Sequence, residues 1–405
     1  MRAATSAEPH GTGRSWLGVG VITLSLFTFV TTELMPVGLL TPVGHSLNIT
    51  AGTAGLMVTF FGLAAGLGAP ALMSWTSRVD RRMLLTALLL VLTVGNLVTA
   101  TANTFPVVVM ARLIMGFANG LFWAIGIGTA VRLVPEHRAG RASSVALSGI
   151  SIAAVVGIPM GTLLEDLTSW RTTFVIWAGL SLICAVLVGA TLPRLPSTSS
   201  TTVGEVFRLP LDNPLLRRVI AAMALFVLGH FAVYTYLRPW LEESSGASPT
   251  TIVILLVVYG IAGAAGNFLA GHWAQHRAGL AFLMACLGVA TSLVLLRYGT
   301  SRAVTAAAVL TLWGIAFGAA NLCQVSLVLR SAPESFEAAM SINTLAYNTS
   351  IALGALAGGV LADDNGITAA IWLGAAFCAV SVLAQLASRI PRQDGASKDR
   401  ATKVA

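Results

Sequence analysis

Three side chains that can hold or move charge stand inside long apolar runs of the sequence: Glu33, Arg112 and His230. Burying a charged side chain in such a run is costly, so its presence indicates either a function or a structural pair. Glu33 lies five residues before Gly38, and Arg112 lies six residues after Pro106. At 1.5 Å per residue both lie about 8 to 9 Å inside the same boundary, so we expect them to meet.

Proton coupling is the chemistry that these three residues could perform. The protonation of a carboxylate away from water responds to a nearby cation, to a bound ligand or to the opening of a cavity. We therefore take Glu33 and Arg112 as candidates, with a static ion pair and a fold-fixing arginine as the alternatives. His230 lies about 17 Å into its run, and histidine titrates in the range that a proton relay needs. A structural or substrate-lining histidine is the alternative there.

The elements that must position these residues are the apolar runs themselves. Hydrophobic residues make up 56% of the 405 residues and charged ones only 10%, against about 25% charged in soluble domains. Several runs are long enough to cross about 30 Å of hydrocarbon as helices. We predict an all-α integral membrane protein with twelve transmembrane helices. The predicted spans are 16–38, 54–75, 83–102, 106–131, 143–164, 174–192, 219–241, 252–273, 280–296, 303–329, 338–361 and 369–387.

A Pro/Ser/Thr-rich polar stretch, 193–214, divides the spans into two sets of six and is the natural linker. The first apolar run is too long for a removable signal peptide, so we expect it to stay as the first helix. The predicted organisation is a tail at 1–15, a six-helix bundle at 16–192, a linker at 193–218, a second six-helix bundle at 219–388 and a tail at 389–405.

An internal repeat supports this division. A gap-free shift of 198 residues places Phe61-Gly62 on Tyr259-Gly260 and Gly116 on Gly314. The same shift places Glu165-Asp166 on Asp363-Asp364. Six spans per repeat give both halves the same orientation, which is typical of transporters whose substrate site lies between two parallel repeats.

The distribution of basic residues predicts the orientation. Nineteen lysines and arginines fall on the side that holds both termini, four fall on the other side, and Arg112 lies within a span. Positively charged short loops stay in the cytoplasm. We therefore expect both termini and the linker to be cytoplasmic.

Other classes of function find little support. The arginines form no continuous basic face for nucleic acid. The four cysteines (184, 286, 323 and 378) stand in apolar runs without metal-ligand or disulfide spacing. There is no phosphate-binding loop and no catalytic triad signature. We expect no enzyme activity, no metal and no cofactor, and a monomer whose partners are a small molecule, protons and the lipid bilayer.

Several short motifs occur at matching helices. The first run contains Thr32-Glu33-Leu34-Met35-Pro36-Val37-Gly38-Leu39-Leu40, the fourth Arg112-Leu-Ile-Met-Gly116, and the fifth Gly149 and Gly157-Ile158-Pro159-Met160-Gly161. With these motifs the sequence resembles the major facilitator superfamily, and within it the twelve-span drug:proton antiporter branch, which includes chloramphenicol, arabinose and purine-nucleoside exporters. Further similar segments are 170–171, 235–239 and 348–359.

The resemblance assigns a conformational role to two segments. It marks Gly149, Gly157, Pro159 and Gly161 as an antiporter motif, which suits a hinge or a tight contact between halves, with plain helix packing as the alternative. It also implies a cytoplasmic latch in the loop that contains Arg78, Asp80, Arg81 and Arg82. The sequence departs from the family there, because Ser77 stands where an acidic residue is expected and Asp80 where a glycine is.

The resemblance also indicates which side chains line a central cavity. They form a mixed aromatic and amide set that suits an uncharged amphipathic ligand. Helix packing or hydrogen bonding between helices is the alternative for each of them. The set consists of Trp123, Tyr234, Tyr236, Trp313, Asn321, Gln324, Asn343, Tyr347 and Asn348.

Taken together, these features predict a multi-pass protein of a bacterial cytoplasmic membrane that exports a small amphipathic compound, such as an antibiotic, in exchange for protons. Export of a sugar or nucleoside is the alternative, followed by proton-coupled import. Coupling to sodium is also open.

Overall fold

The computed structural model describes residues 12–76, 79–196, 203–299 and 302–387. All of its regular elements in these ranges are helical. The α-helices are α1 (Thr12–Leu34), α2 (Leu40–Leu47), α3 (Ala51–Thr76), α4 (Arg81–Thr101), α5 (Phe105–Arg132), α6 (Ala139–Leu167), α7 (Trp170–Thr191), α8 (Val203–Asp212), α9 (Pro214–Tyr234), α10 (Leu237–Ser245), α11 (Pro249–Gly299), α12 (Ala303–Ser331), α13 (Phe336–Asn365) and α14 (Ile367–Ala387).

Twelve helical segments in the described ranges are long and apolar enough to cross a membrane, which confirms the predicted fold class. Two of them, Pro249–Gly271 and His276–Tyr298, lie in α11, and the backbone leaves helical geometry at Arg277 (φ −135°, ψ 47°), the second residue of the second span. Large apolar side chains on the outside of the bundle, such as Phe268 at 86% exposure, provide a surface that suits lipid.

The seventh span ends earlier than the sequence predicts. We expected it to run to Leu241, but α9 ends at Tyr234 and the chain restarts as the short helix α10. Pro239 explains the break, because it has no N–H for the carbonyl of Thr235 and its ring would collide with that carbonyl in a continuous helix. Tyr236 therefore lies in the turn between the two helices.

The linker prediction also needs a correction. The described part of the 193–218 stretch contains the helix α8, and α9 already begins at Pro214 rather than at residue 219. Asn213 caps α9, with its side chain accepting a hydrogen bond from the backbone N–H of Leu216. Residues 1–11, 197–202 and 388–405, which include most of both predicted tails, lie outside the described ranges.

The repeat recurs in the packing of the two halves. At Gly116 on α5, an added Cβ would collide with the carbonyl of Phe61 on α3; at Gly314 on α12, it would collide with the carbonyl of Tyr259 on α11. The two contacts are related by the shift of 198 residues. In both halves glycine allows two helices to approach at backbone distance, as is common in membrane proteins.

Among the described residues, the most extensive contacts between the two halves, α1–α7 and α9–α14, are made by two helix pairs. α3 packs against α13, where Gly62 faces the backbone of Asn348, and α6 packs against α11, where Gly260 faces Val155. We call the end of the bundle with the 133–138 and 332–335 turns the linker end. The opposite end, with residues 35–50, 168–169 and 235–248, is the far end.

Candidate functional site

The far-end part of α1 is shaped by Pro36, which has no backbone N–H. In a continuous helix the carbonyl of Thr32 would accept a hydrogen bond from residue 36, so Pro36 leaves it without a donor. Arg112 on α5 supplies that donor: its Nη1 lies 2.7 Å from the Thr32 carbonyl oxygen. Its Nη2 lies 3.1 Å from the carbonyl oxygen of Glu33. The guanidinium therefore replaces the helix hydrogen bonds that end here.

Arg112 also ties α1 to α3. Its Nε lies 3.0 Å from the carbonyl oxygen of Met57, and the guanidinium carbon stands 4.2 Å from the centre of the Phe61 ring. The side chain is fully buried. A cation at the carbonyl end of a helix is also favoured by the helix dipole. These contacts give Arg112 the geometry of a residue that fixes the end of α1.

Glu33 is the one acidic side chain that is buried in the described part of the chain, at 8% exposure. Its Oε2 accepts a hydrogen bond of 3.0 Å from Asn119 Nδ2. Asn119 stands seven residues after Arg112 on α5, two turns on and on the same helix face. The residues Glu33 and Arg112 do meet at one depth, but Arg112 bonds the backbone of Glu33 and Asn119 bonds its carboxylate.

The glycines of α6 position α1 next to this centre. An added Cβ at Gly149 would collide with Thr23, one at Gly157 would press against Thr31, and one at Gly161 would collide with Met35. All three contacts lie within the same half, so these glycines do not form the contact between halves that we considered. That contact is made at Val155, whose carbonyl lacks a helical donor because Pro159 stands four residues later.

The second half has a centre of its own around His230. Trp313 Nε1 donates a hydrogen bond of 3.0 Å to Nδ1 of the buried His230. Indole N–H is only a donor, so Nδ1 carries no proton and the neutral imidazole holds its proton on Nε2. Protonating Nδ1 would break this bond. The contact favours a fixed neutral histidine over a proton relay.

Aromatic rings surround this histidine. Phe317, His230, Tyr234 and Tyr259 form a column with successive centroid distances of 3.8, 4.9 and 4.8 Å. Trp313 meets His230, Tyr234 and Tyr259 edge-on. His230 Nε2 and the Tyr259 hydroxyl are buried and find no hydrogen-bond partner among the described residues. Sequence reasoning missed Tyr259, although it stands at the position that repeats Phe61.

Polar side chains of α12 and α13 pair with one another. The Tyr347 hydroxyl donates to Asn321 Oδ1 at 3.1 Å, and it lies near enough to Glu33 to interact with it electrostatically. Gln324 donates to Asn343 in a buried pair. Asn348 bonds the carbonyl of Thr344 in its own helix.

The other proposed lining residues lie apart from these pairs. Trp123 on α5 is half-buried. Tyr236 lies at the far end, where its hydroxyl donates to the carbonyl of Ala355 at 2.7 Å. The hydroxyl packs between Gly55 on α3 and Gly359 on α13, which leave room for it.

The far end is closed by Arg238 of α10, which sequence reasoning noted only as part of a motif. Its Nη1 lies 2.9 Å from Glu165 of the first half and also donates to the carbonyl of Gly38. Its Nε lies 2.8 Å from Glu242 of its own half, and Glu242 accepts a bond of 2.6 Å from Thr41. The nearby cleft between α2 and α10 has a volume of about 530 Å³.

A second closure uses Asp363 at the end of α13. Its Oδ2 accepts a hydrogen bond of 2.5 Å from the hydroxyl of Thr50, and its Oδ1 one of 3.0 Å from the backbone N–H of Gly52. Thr50 caps α3 through the N–H of Thr53. The carboxylate therefore sits at a helix N-terminus, where negative charge is stabilised. The repeated acidic pairs, Glu165-Asp166 and Asp363-Asp364, were the sequence signal for both closures.

The loop before α4 is arranged as a helix cap. Asp80 accepts hydrogen bonds from the backbone N–H groups of Arg82, at 3.0 Å, and Met83, at 3.4 Å. The backbone N–H of Arg81 donates to the carbonyl of Leu195, at the start of the linker. Ser77 and Arg78 lie outside the described residues. The described residues form no group of His, Cys, Asp or Glu that could hold a metal ion.

Comparison with known proteins identifies a family. A model of the Major Facilitator Superfamily matches residues 21–338. A probable sugar efflux transporter of Helicobacter pylori is 31% identical over 351 residues, which cover 86% of this chain and 89% of that protein. The uncharacterized MFS-type transporter YtbD of Bacillus subtilis is 32% identical over 358 residues, 87% of this chain and 90% of its own.

A solved structure shares the fold. It is a bacterial homologue of the human lysosomal transporter Spinster in an inward-facing and unoccupied conformation. It aligns with a TM-score of 0.71, covering 93% of this chain and 97% of its own, at 16% sequence identity. At 16% identity, this similarity shows a shared fold and nothing more.

Proposed function

The chain belongs to the major facilitator superfamily, and on that premise we propose that it exports a small, mostly uncharged amphipathic compound in exchange for protons. Transport and a multi-pass membrane location follow from the family and the twelve apolar helices. The substrate class and proton coupling are the proposal. The driving force would be an ion gradient, because the sequence has no phosphate-binding loop.

The observation that carries the proposal is the environment of Glu33. It is buried within the membrane span, shares a hydrogen bond with Asn119, and lies near Tyr347 of the other half. A carboxylate there can exchange a proton only when water reaches it, which an alternating transporter provides from one side at a time. Arg112 holds the backbone of Glu33 in place while the carboxylate is free to change its charge.

The aromatic centre around His230 supports an uncharged ligand. Its described rings present apolar faces, and its two unpartnered polar atoms could bond a hydroxyl or carbonyl group. We assign substrate contact to Tyr234, Tyr259 and Trp313, and assign the coupling proton to Glu33 rather than His230, because Trp313 fixes the imidazole as neutral.

Export of a sugar is the second candidate. The Helicobacter pylori relative bears the name of a probable sugar efflux transporter. Rings and amides such as Asn321 and Gln324 suit a hydroxylated ligand as well as a drug. The substrate, rather than the machinery, separates the two candidates.

The test of function is a resistance and accumulation screen in a bacterial host that lacks its own efflux pumps. Drugs form one arm, and pentoses, hexoses and nucleosides form the other. Each is measured with and without a protonophore, and with Glu33→Gln as the inactive partner. Lower accumulation that the protonophore abolishes supports proton-coupled export. Higher accumulation in energised cells would mean import, and no difference for any compound would contradict the proposal.

The orientation is tested separately. We propose that the linker end faces the cytoplasm, on the basis of the nineteen basic residues predicted on that side. Glu136 and Asn103 are exposed at opposite ends of the bundle. A cysteine at Glu136 should resist an impermeant thiol reagent in intact cells, whereas one at Asn103 should react. The reverse pattern would overturn the orientation.

A further inference from the structure

The segment between Glu33 and Gly38 is held from both sides. Arg112 of the same half binds the carbonyls of Thr32 and Glu33 at its start. Arg238 of the other half binds the carbonyl of Gly38 at its end. Between them lies the four-residue 3-10 turn Met35–Gly38, all of it buried. A shift at either end is therefore passed to the other through a short and buried piece of backbone.

Gly38 cannot move freely within its own half. An added Cβ there would collide with Thr162 and press on Ile158 of α6, so the backbone lies directly on that helix. The Thr162 hydroxyl also reaches the Gly38 carbonyl, at 3.5 Å. Arg238 thus joins the second half to the place where α1 and α6 meet.

The two far-end closures differ in what they hold. Arg238 bonds Glu165 and the turn that leads to Glu33, whereas Asp363 bonds Thr50 and Gly52 at the start of α3. The acids Glu165 and Asp363 are repeat-related, and each reaches into the opposite half. The Arg238 closure alone touches the segment of the coupling carboxylate.

We propose that Arg238 couples the charge state of Glu33 to the closing of the far end, while Asp363 holds the same end closed without sensing Glu33. This inference rests on the proposed proton role of Glu33. It adds a second arginine, outside the spans, to the residues that serve transport.

The expected direction follows from burial. Glu33 is buried while the far end is closed, facing Arg112 and Asn119 from α5 and Tyr347 from α13. A neutral side chain costs less to bury than a carboxylate, so neutralising Glu33 stabilises the state with the far end closed. Arg238 transmits this preference because it holds Gly38 of the opposite half, a contact that separation of the far ends would break.

The test measures the far end directly, without transport. Asn103→Cys and Asn365→Cys place spin labels on exposed residues of the two halves at this end, and the four native cysteines are buried. Distances between the labels are measured by electron-electron resonance on the full-length protein in lipid nanodiscs. The comparison uses Glu33→Gln in three backgrounds: otherwise unchanged, Arg238→Gln and Asp363→Asn.

In the unchanged background Glu33→Gln should increase the ratio of closed to open far ends about fivefold, the lower range of typical coupling between sites. Arg238→Gln and Asp363→Asn should each lower that ratio. The response to Glu33→Gln should vanish with Arg238→Gln and persist with Asp363→Asn. An equal response in all three backgrounds would overturn the proposal.

Two controls keep the result decisive. If Arg238→Gln does not yield folded protein, Arg238→Lys takes its place. Lysine keeps the charge but cannot bond Glu165, Glu242 and Gly38 together, so the response to Glu33→Gln should be lost in this background too. Transport assays of Glu33→Gln alone test the proton role. If Glu33→Gln alone still drives uphill transport with protons, and still closes the far end in the distance measurement, the proton role of Glu33 is refuted while its coupling to Arg238 stands.

Discussion

The centres of the two halves occupy repeat-related positions but have opposite character. Glu33, Arg112 and Asn119 of the first half correspond, 198 residues later, to Phe231, Leu310 and Phe317. The first centre is built on charge and on backbone carbonyls, and the second on stacked rings around a neutral histidine. Yet the glycines that bring the helices together recur in both.

This difference separates the parts of the repeat that form the scaffold from those that we propose to serve transport. Gly116 and Gly314 recur because each lies against a backbone carbonyl in the same helix crossing, where no side chain fits. The side chains at the centre differ between the halves, so the shared scaffold does not require them. We infer a division of labour, with the proton in the first half and the ligand in the second.

The largest expected effect comes from removing the charge of the first centre. Glu33→Gln should abolish uphill transport in proteoliposomes with an imposed pH gradient, because a permanently neutral side chain cannot release a proton. Downhill exchange of substrate should survive. Glu136→Gln, which changes an exposed acid at the linker end, is the matched control and should transport normally. Uphill transport by Glu33→Gln would remove the charged half of the comparison.

A second large effect is expected at Arg112. Arg112→Lys should lower the free energy of unfolding by about 2 to 3 kcal/mol, because lysine cannot satisfy the carbonyls of Thr32, Glu33 and Met57 together. Pro36→Ala should recover about 1 kcal/mol of that loss, since the backbone N–H that alanine brings can donate to the Thr32 carbonyl. Unfolding in mixed micelles measures both. Strict additivity of the two changes would contradict the donor role of Arg112.

The second centre is probed at Trp313. Trp313→Phe removes the donor to His230 Nδ1 and should lower the free energy of unfolding by about 1 to 3 kcal/mol, and weaken substrate binding. Trp177→Phe removes a buried indole whose N–H has no partner among the described residues, with the same change in volume. Trp177→Phe should lower the free energy of unfolding by less than Trp313→Phe. Equal losses would show that only ring volume matters in the second centre.

The smallest effect is expected at the linker end. Asp80 caps α4, whereas its repeat-related position is Ala278, which cannot cap. Asp80→Ala should cost about 1 kcal/mol in stability, and Asp80→Asn should cost little because an amide oxygen still caps. If Asp80→Asn transports as well as the unchanged protein, the role of Asp80 is to cap α4. A loss of transport with normal stability in Asp80→Asn would instead require its charge.

Sequence alone predicted the elements and the place of the charged centre. Long apolar runs predicted most spans to within a few residues because length and hydropathy decide them, although the seventh span ends at Tyr234 rather than at Leu241. Distance along two helices placed Glu33 and Arg112 at one depth. The sequence did not predict that Arg112 bonds backbone carbonyls, because this role depends on the helix hydrogen bond to the Thr32 carbonyl that Pro36 removes. Arg238 was missed as a closing residue because its partners, Glu165 and Gly38, are distant in sequence.

The glycines around Tyr236 limit the conformations that the whole molecule can adopt. A methyl group at Gly55 would overlap its hydroxyl, and one at Gly359 would do the same, while one at Gly52 would overlap the backbone of Gly359. Alanine at Gly52 or Gly55 would meet residues of the other half, so it fits only when the far ends of the two halves separate. Such variants offer a way to trap the opposite conformation for crystallography or cryo-electron microscopy, without any ligand.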